Sequence, residues 1–147
     1  MTTTTDTTDT TDIRTRREVM RTFLPSSPLV RHLGIELREL GDDRAELRLP
    51  YDPRLATMGD VVHGGTIASL IDTAGMAATW ACDERPDSLR GSTISMTVDY
   101  LAAAVGKDLF ATAFVVRRGN SLVFSEVAVA EPGGRLVARG SVIQRLG

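Results

Sequence analysis

An α+β domain, one long helix wrapped by an antiparallel sheet of about six strands, is predicted by three observations in the 147-residue sequence. Val61 to Cys82 reads as a glycine turn feeding a long helix of small and apolar residues. Before it, Gly34 to Tyr51 carries the two-residue period of a hairpin with one buried and one wet face. After it come four strand-like segments whose separators have the turn chemistry of antiparallel neighbours.

The helix is the element with the clearest pattern. At about 100° per residue, Ile67, Leu70, Ile71, Ala74, Ala77, Ala78 and Ala81 share one broad apolar face that can pack on a sheet. The opposite face carries Gly65, Ala68, Ser69, Asp72, Met76 and Thr79, and Asp72 is the single charge between Gly65 and Ala81. It lies about two turns in, beyond reach of the first amides, so it cannot be their cap. Gly64 and Gly65, following His63, allow another group to approach the main chain closely.

Composition bounds the rest. A hydrophobic share of 42% over 147 residues supports one domain with a real core. A net charge of −2, from 17 basic and 19 acidic residues, gives no general attraction for nucleic acid or an anionic membrane. Cys82 is the lone cysteine, which excludes an internal disulfide, and with only His32 and His63 beside it a structural zinc site is not expected; no metal is assigned. The opening MTTTTDTTDTTD lacks the features of a secretory signal, and nowhere do eighteen apolar residues run together. The expectation is a soluble, cytoplasmic protein.

In chain order, residues 1–12 read as a disordered Thr/Asp tail. Residues 13–28 read as a short amphipathic helix over Ile13 to Leu24, ended by Pro25, and a Ser-Ser-Pro linker. The main domain is placed at 29–147, with one more helical turn over Leu29 to Leu33. In the hairpin, Ile35, Leu37 and Glu39 alternate with Glu36, Arg38 and Leu40, and Ala45, Leu47 and Leu49 follow Gly41-Asp42-Asp43. Asp52 to Asp60 is expected to be a loop, and Asp83 to Gly91 a connection. The four later strands are Ser92 to Leu101, Leu109 to Arg118, Leu122 to Glu131 and Leu136 to Arg145, expected as a meander. Phe110, Phe114, Val123 and Phe124 are expected to leave an apolar patch that a second copy covers.

His63-Gly64-Gly65 opening a long helix, Leu70-Ile71-Asp72 placing an aspartate nine residues after the histidine, and the strands that follow resemble the hotdog-fold acyl-CoA thioesterases of the phenylacetate-pathway type. The resemblance spans Leu29 to Leu146. It implies a homodimer with joined sheets and central helices side by side, commonly paired again into a tetramer. The active sites then lie between the glycine turn of one subunit and the aspartate helix of the other. It also implies no resident cofactor, coenzyme A being part of substrate and product.

The same resemblance implies roles. Asp72 is the general base for water or a nucleophile, and residue type leaves both open. Free amides of Gly64 and Gly65 at the helix N-terminus polarise the carbonyl. Thr93 stands where relatives place a hydroxyl that orients the water, and His63 holds the turn. Thr57 departs from the pattern: six residues before the histidine many relatives carry asparagine, whose amide donors a threonine lacks. Arg117-Arg118-Gly119-Asn120-Ser121 matches the basic-x-Gly-polar turn that contacts the nucleotide end of the coenzyme, with Tyr100 and Arg145 as further candidates. The acyl group, aryl or of medium length, is expected against Ser69, Met76, Thr79 and the loop from Leu55 to Val61.

Three rival readings stand beside this one. A non-catalytic acyl-CoA-binding module, a sensor or scaffold, would use the same pocket, and Thr57 in place of asparagine suits it; a buried carboxylate without use counts against it. The HGG tripeptide also resembles an esterase oxyanion motif, but the chain has no G-x-S-x-G. A hydratase on the same fold would need a histidine beside its aspartate, and none follows His63.

Overall fold

The computed structural model describes residues 14–147, so the Thr/Asp tail and Ile13 lie outside the described residues. Helix α1 (Arg16–Ser26) starts on a capping box: Thr15 Oγ1 accepts the Glu18 N–H at 3.3 Å, and the Glu18 carboxylate accepts the Thr15 N–H at 2.7 Å. Pro25 does not end this helix but sits in its last turn, where its missing N–H removes one bond only and the chain leaves at Ser27. Helix α2 (Pro28–Leu33) begins on its proline and stops at Gly34, whose φ of 75° is left-handed.

Strands β1 (Glu36–Gly41) and β2 (Arg44–Leu49) form the expected hairpin. A bulge between Leu37 and Glu39 breaks the alternation, so Leu37 and Leu40, three residues apart, both pack on the core. The stretch expected as a loop contains one 3₁₀ turn (Pro53–Leu55) and a small hairpin of β3 (Ala56–Met58) and β4 (Val61–Val62), turning at Gly59 with φ 55°.

Helix α3 (Gly64–Thr79) is followed by β5 (Gly91–Tyr100), β6 (Leu109–Arg118), β7 (Leu122–Ala130) and β8 (Leu136–Leu146). The six-stranded antiparallel sheet has the order β1-β2-β6-β7-β8-β5. The later strands are therefore not a simple meander. The segment from Leu101 to Asp108 carries the chain across to β2, which leaves β5 alone on the outer edge beyond β8.

On α3, Leu70, Ile71, Ala74, Ala77 and Ala78 are fully buried against Leu47, Leu109, Val123 and Val142 of the sheet. Helix and sheet approach closely at Gly75, where an added Cβ would stand 2.9 Å from Val142 Cβ, and at Gly140, where it would stand 2.7 Å from Ile71 Cγ2. Val123, expected on the surface, points into the core, and Phe110 and Phe124 are half-buried. Phe114 is exposed as expected, and Val116 and Leu122, and Ile94, Tyr100 and Leu101 at the β5 edge, are among the other exposed apolar side chains. No described helix is long and apolar enough to cross a membrane.

Candidate active site

The polar stripe of α3 faces β5, and there the structure joins three residues. Thr93 Oγ1 donates to Asp72 Oδ1 at 2.6 Å, and Gln144 Nε2 donates to Thr93 Oγ1 at 2.8 Å. A bulge in β5 between Thr93 and Ser95 aims the threonine at the helix. Gln144 is only 3% exposed and occupies an inward position of β8 between Val142 and Leu146. A hydroxyl has a single hydrogen, so with the glutamine donating into its oxygen, Thr93 must donate to the carboxylate. Asp72 Oδ2 accepts no hydrogen bond from the described residues. The result is a half-buried carboxylate with one oxygen fixed and the other available to a water or an acyl carbon.

The glycine turn is built differently from the sequence expectation. His63 caps α3, its Nδ1 accepting the Gly65 N–H at 2.8 Å. The ring thus holds the turn, but it also occupies one of the two amides expected to be free. The Gly64 N–H has no acceptor among the described residues. Tyr100 rests on this glycine: its hydroxyl donates to Gly64 O at 2.7 Å, and its ring lies 3.3 Å from where a Gly64 Cβ would be. A side chain at Gly64 would press on this ring, and the hydroxyl of Tyr100, expected from sequence near the nucleotide end of the coenzyme, is bonded to the turn. Thr57 and Gly64 line the same cavity of about 360 Å³. Ser69 Oγ donates to Gly65 O at 2.9 Å, within the helix.

Gly64 and Asp72 are eight residues apart on one helix, about 12 Å at 1.5 Å rise per residue. A single chain therefore does not bring the glycine amide and the carboxylate onto one thioester.

The basic turn divides into two roles. Arg118 is a staple, its guanidinium donating to Asp43 Oδ1 at 2.6 and 3.2 Å and to Thr79 O at 3.0 Å. Arg117 is exposed and makes no ion pair among the described residues; with Gly119, Asn120 and Ser121 it lines an open depression of about 850 Å³. Arg145 pairs in register with Leu122 on one side and Ser92 on the other, which puts this depression and Thr93 at the same end of the sheet.

A second cavity, about 370 Å³ and mostly apolar, opens beside Thr93 and Gln144 and runs along Met76 and Trp80 to α1. Of the acyl contacts expected from sequence, Met76 lines it. Thr79 is fully buried, and the loop from Leu55 to Val61 borders the Gly64 cavity instead. The Gln144 contact and the α1 wall escaped the sequence reading. A glutamine at an inward strand phase was the available signal for the first, and the apolar stripe of α1 for the second.

Residues 59–138 match the thioesterase superfamily. The chain belongs to that superfamily. A Halobacterium salinarum protein provisionally named an esterase is 35% identical over 134 residues, spanning 84% of this chain and 88% of that protein. Human acyl-coenzyme A thioesterase 13 is 28% identical over 134 residues, spanning 89% of this chain and 94% of the human one. The structure of the E. coli PaaI protein from the phenylacetic acid degradation operon superposes with a TM-score of 0.78 at 19% identity, covering 90% of this chain and 93% of the other, a likeness of fold alone. As a superfamily member the chain has the hotdog fold, with α3 as the helix and the six-stranded sheet as its wrapper.

Proposed function

We propose that the protein is an acyl-CoA thioesterase of the phenylacetate-pathway type, hydrolysing an acyl- or aryl-CoA thioester to the free acid and coenzyme A. The observation that carries this reading is the Thr93–Asp72 hydrogen bond, which fixes one carboxylate oxygen and leaves the other for chemistry. The relatives named as thioesterases support it.

In this reading two chains join along β5, the open sheet edge, and pair again into a tetramer. The α3 helices then lie side by side, so the thioester of one site meets Gly64 of one subunit and Asp72 of the other. The Gly64 N–H and the helix dipole stabilise the oxygen of the tetrahedral intermediate. The Thr57 hydroxyl, in the same cavity, is a second donor in place of asparagine. Asp72 takes the proton of the attacking water, or attacks the carbonyl itself to give an anhydride that water opens. In either course the C–S bond breaks, the acyl carbon gains a hydroxyl and the coenzyme thiolate takes up a proton. Arg117 and Arg145 attract the coenzyme phosphates.

A thiol-release assay over acyl-CoAs from acetyl to long-chain, with phenylacetyl and hydroxybenzoyl included, tests the reading. Asp72→Asn is expected to keep the oligomer and coenzyme binding while losing about 10²- to 10⁴-fold in kcat. Binding of acyl-CoA without turnover of any member would instead make the protein a non-catalytic acyl-CoA module.

A further inference from the structure

We infer that the first helix builds the acyl subsite, and that the cavity between α1 and α3 takes a neutral, apolar acyl chain or aryl group of about a dozen non-hydrogen atoms. This deepens the thioesterase reading and rests on it. Met76 and Trp80 follow Asp72 by one and two turns, on the same stripe of α3. An acyl group whose carbonyl carbon sits at Asp72 is therefore led along these side chains, away from the glycine turn and toward α1. Met76 and Trp80 line the cavity together with Val19 and Phe23 of α1.

Among the described residues no charged side chain lines it; its polar side chains are Ser92, Thr93 and Gln144, with the indole N–H of Trp80, and Thr93 marks the Asp72 end. A carboxylate or ammonium carried far down the chain would be desolvated there without an oppositely charged partner. The volume of about 370 Å³, taken at ~30 Å³ per water-sized group, sets the size limit. Phe23 is 50% exposed and Leu89 is 71% exposed, so the mouth is rimmed by apolar side chains that water would otherwise cover.

Trp80 is the only tryptophan in the chain, which gives the cavity its own reporter. Full-length protein is titrated with a bromine-substituted octanoate, whose heavy atom quenches an indole it touches. In parallel, kcat/KM is measured for butyryl-, decanoyl- and palmitoyl-CoA in the wild type, Val19→Phe and Phe23→Ala. Expected are quenching of Trp80, a fall of about tenfold in the decanoyl-to-butyryl ratio for Val19→Phe, and a relative gain for palmitoyl in Phe23→Ala. If Val19→Phe does not fold, the half-exposed Phe23 position decides. Quenching without hydrolysis supports the subsite while removing the thioesterase reading. Hydrolysis with unchanged chain-length ratios and unquenched Trp80 overturns the subsite and leaves the thioesterase reading intact.

Discussion

Thr93 Oγ1 stands 2.6 Å from Asp72 Oδ1 and accepts the Gln144 amide at 2.8 Å, so the direction of its one hydrogen is settled before any substrate arrives. Gln144 acts on the carboxylate only through Thr93 and is a positioning residue. Gln144→Met is expected to lower kcat about tenfold with KM little changed. Combined with Thr93→Val it is expected to cost no more than Thr93→Val alone, because both remove the same fixed donor. Steady-state kinetics of the four proteins checks this; additive losses would separate the two residues.

At Gly75 the helix packs tightly on the sheet, 2.9 Å from an added Cβ to Val142 Cβ. Gly75→Ala is expected to destabilise the fold by about 1–3 kcal/mol despite the better helix propensity of alanine, since Val142 is a β-branched core side chain with no room to retreat. Urea unfolding gives the sign, and a stabilised variant would contradict the packing.

Asp108 ties the start of β6 to the end of β2. Its Oδ1 accepts the Tyr51 N–H at 2.7 Å and its Oδ2 accepts Arg48 Nη2 at 2.7 Å. The Tyr51 amide first, and Arg48 second, hold the Asp108 carboxyl below its ordinary value of 3.8. A depressed carboxyl stabilises the fold above that ordinary value and loses its effect as pH falls through the folded one. Asp108→Asn is therefore expected to unfold at lower urea than wild type at pH 7, with the gap closing below pH 3.8. A gap independent of pH would mean that the charge is not what matters.

Ile94 sits at the β5 bulge on the open sheet edge, 53% exposed. A lysine there is expected to block edge-to-edge pairing. Sedimentation velocity of Ile94→Lys should show monomer where wild type shows dimer or tetramer, and thioesterase activity should fall with it. A monomer of full activity would place the whole site in one chain.

Much of this was legible in the sequence, for reasons that can be named. The burial of Leu70, Ile71, Ala74 and Ala78 follows from spacing alone, and the turns at Gly41-Asp42-Asp43 and Gly119-Asn120-Ser121 follow from local chemistry. Strand order was not legible: β5 and β6 are consecutive and read as neighbours, yet only the reach of the Leu101–Asp108 segment decides that they are not. Bulges escaped because one extra residue changes a side chain's face without changing the composition, as at Leu37 to Leu40 and at Thr93. The His63–Gly65 contact escaped for a related reason, since a histidine before two glycines does not say which amide its ring will take.

Helix α1 lies before residues 59–138, the stretch that matches the superfamily, yet it is fastened to the body. The Arg16 and Arg17 amides donate to Glu84 O and Cys82 O at 2.9 and 3.1 Å, and their guanidiniums pair with Glu84, Asp42 and Asp83. One wall of the apolar cavity, formed by Val19, Met20 and Phe23, is thus written on a different length of chain from Asp72, Thr93 and Gln144. Drift in the first helix can change what the protein accepts while Asp72, Thr93 and Gln144 stay untouched, so relatives with the same reacting residues need not share a diet.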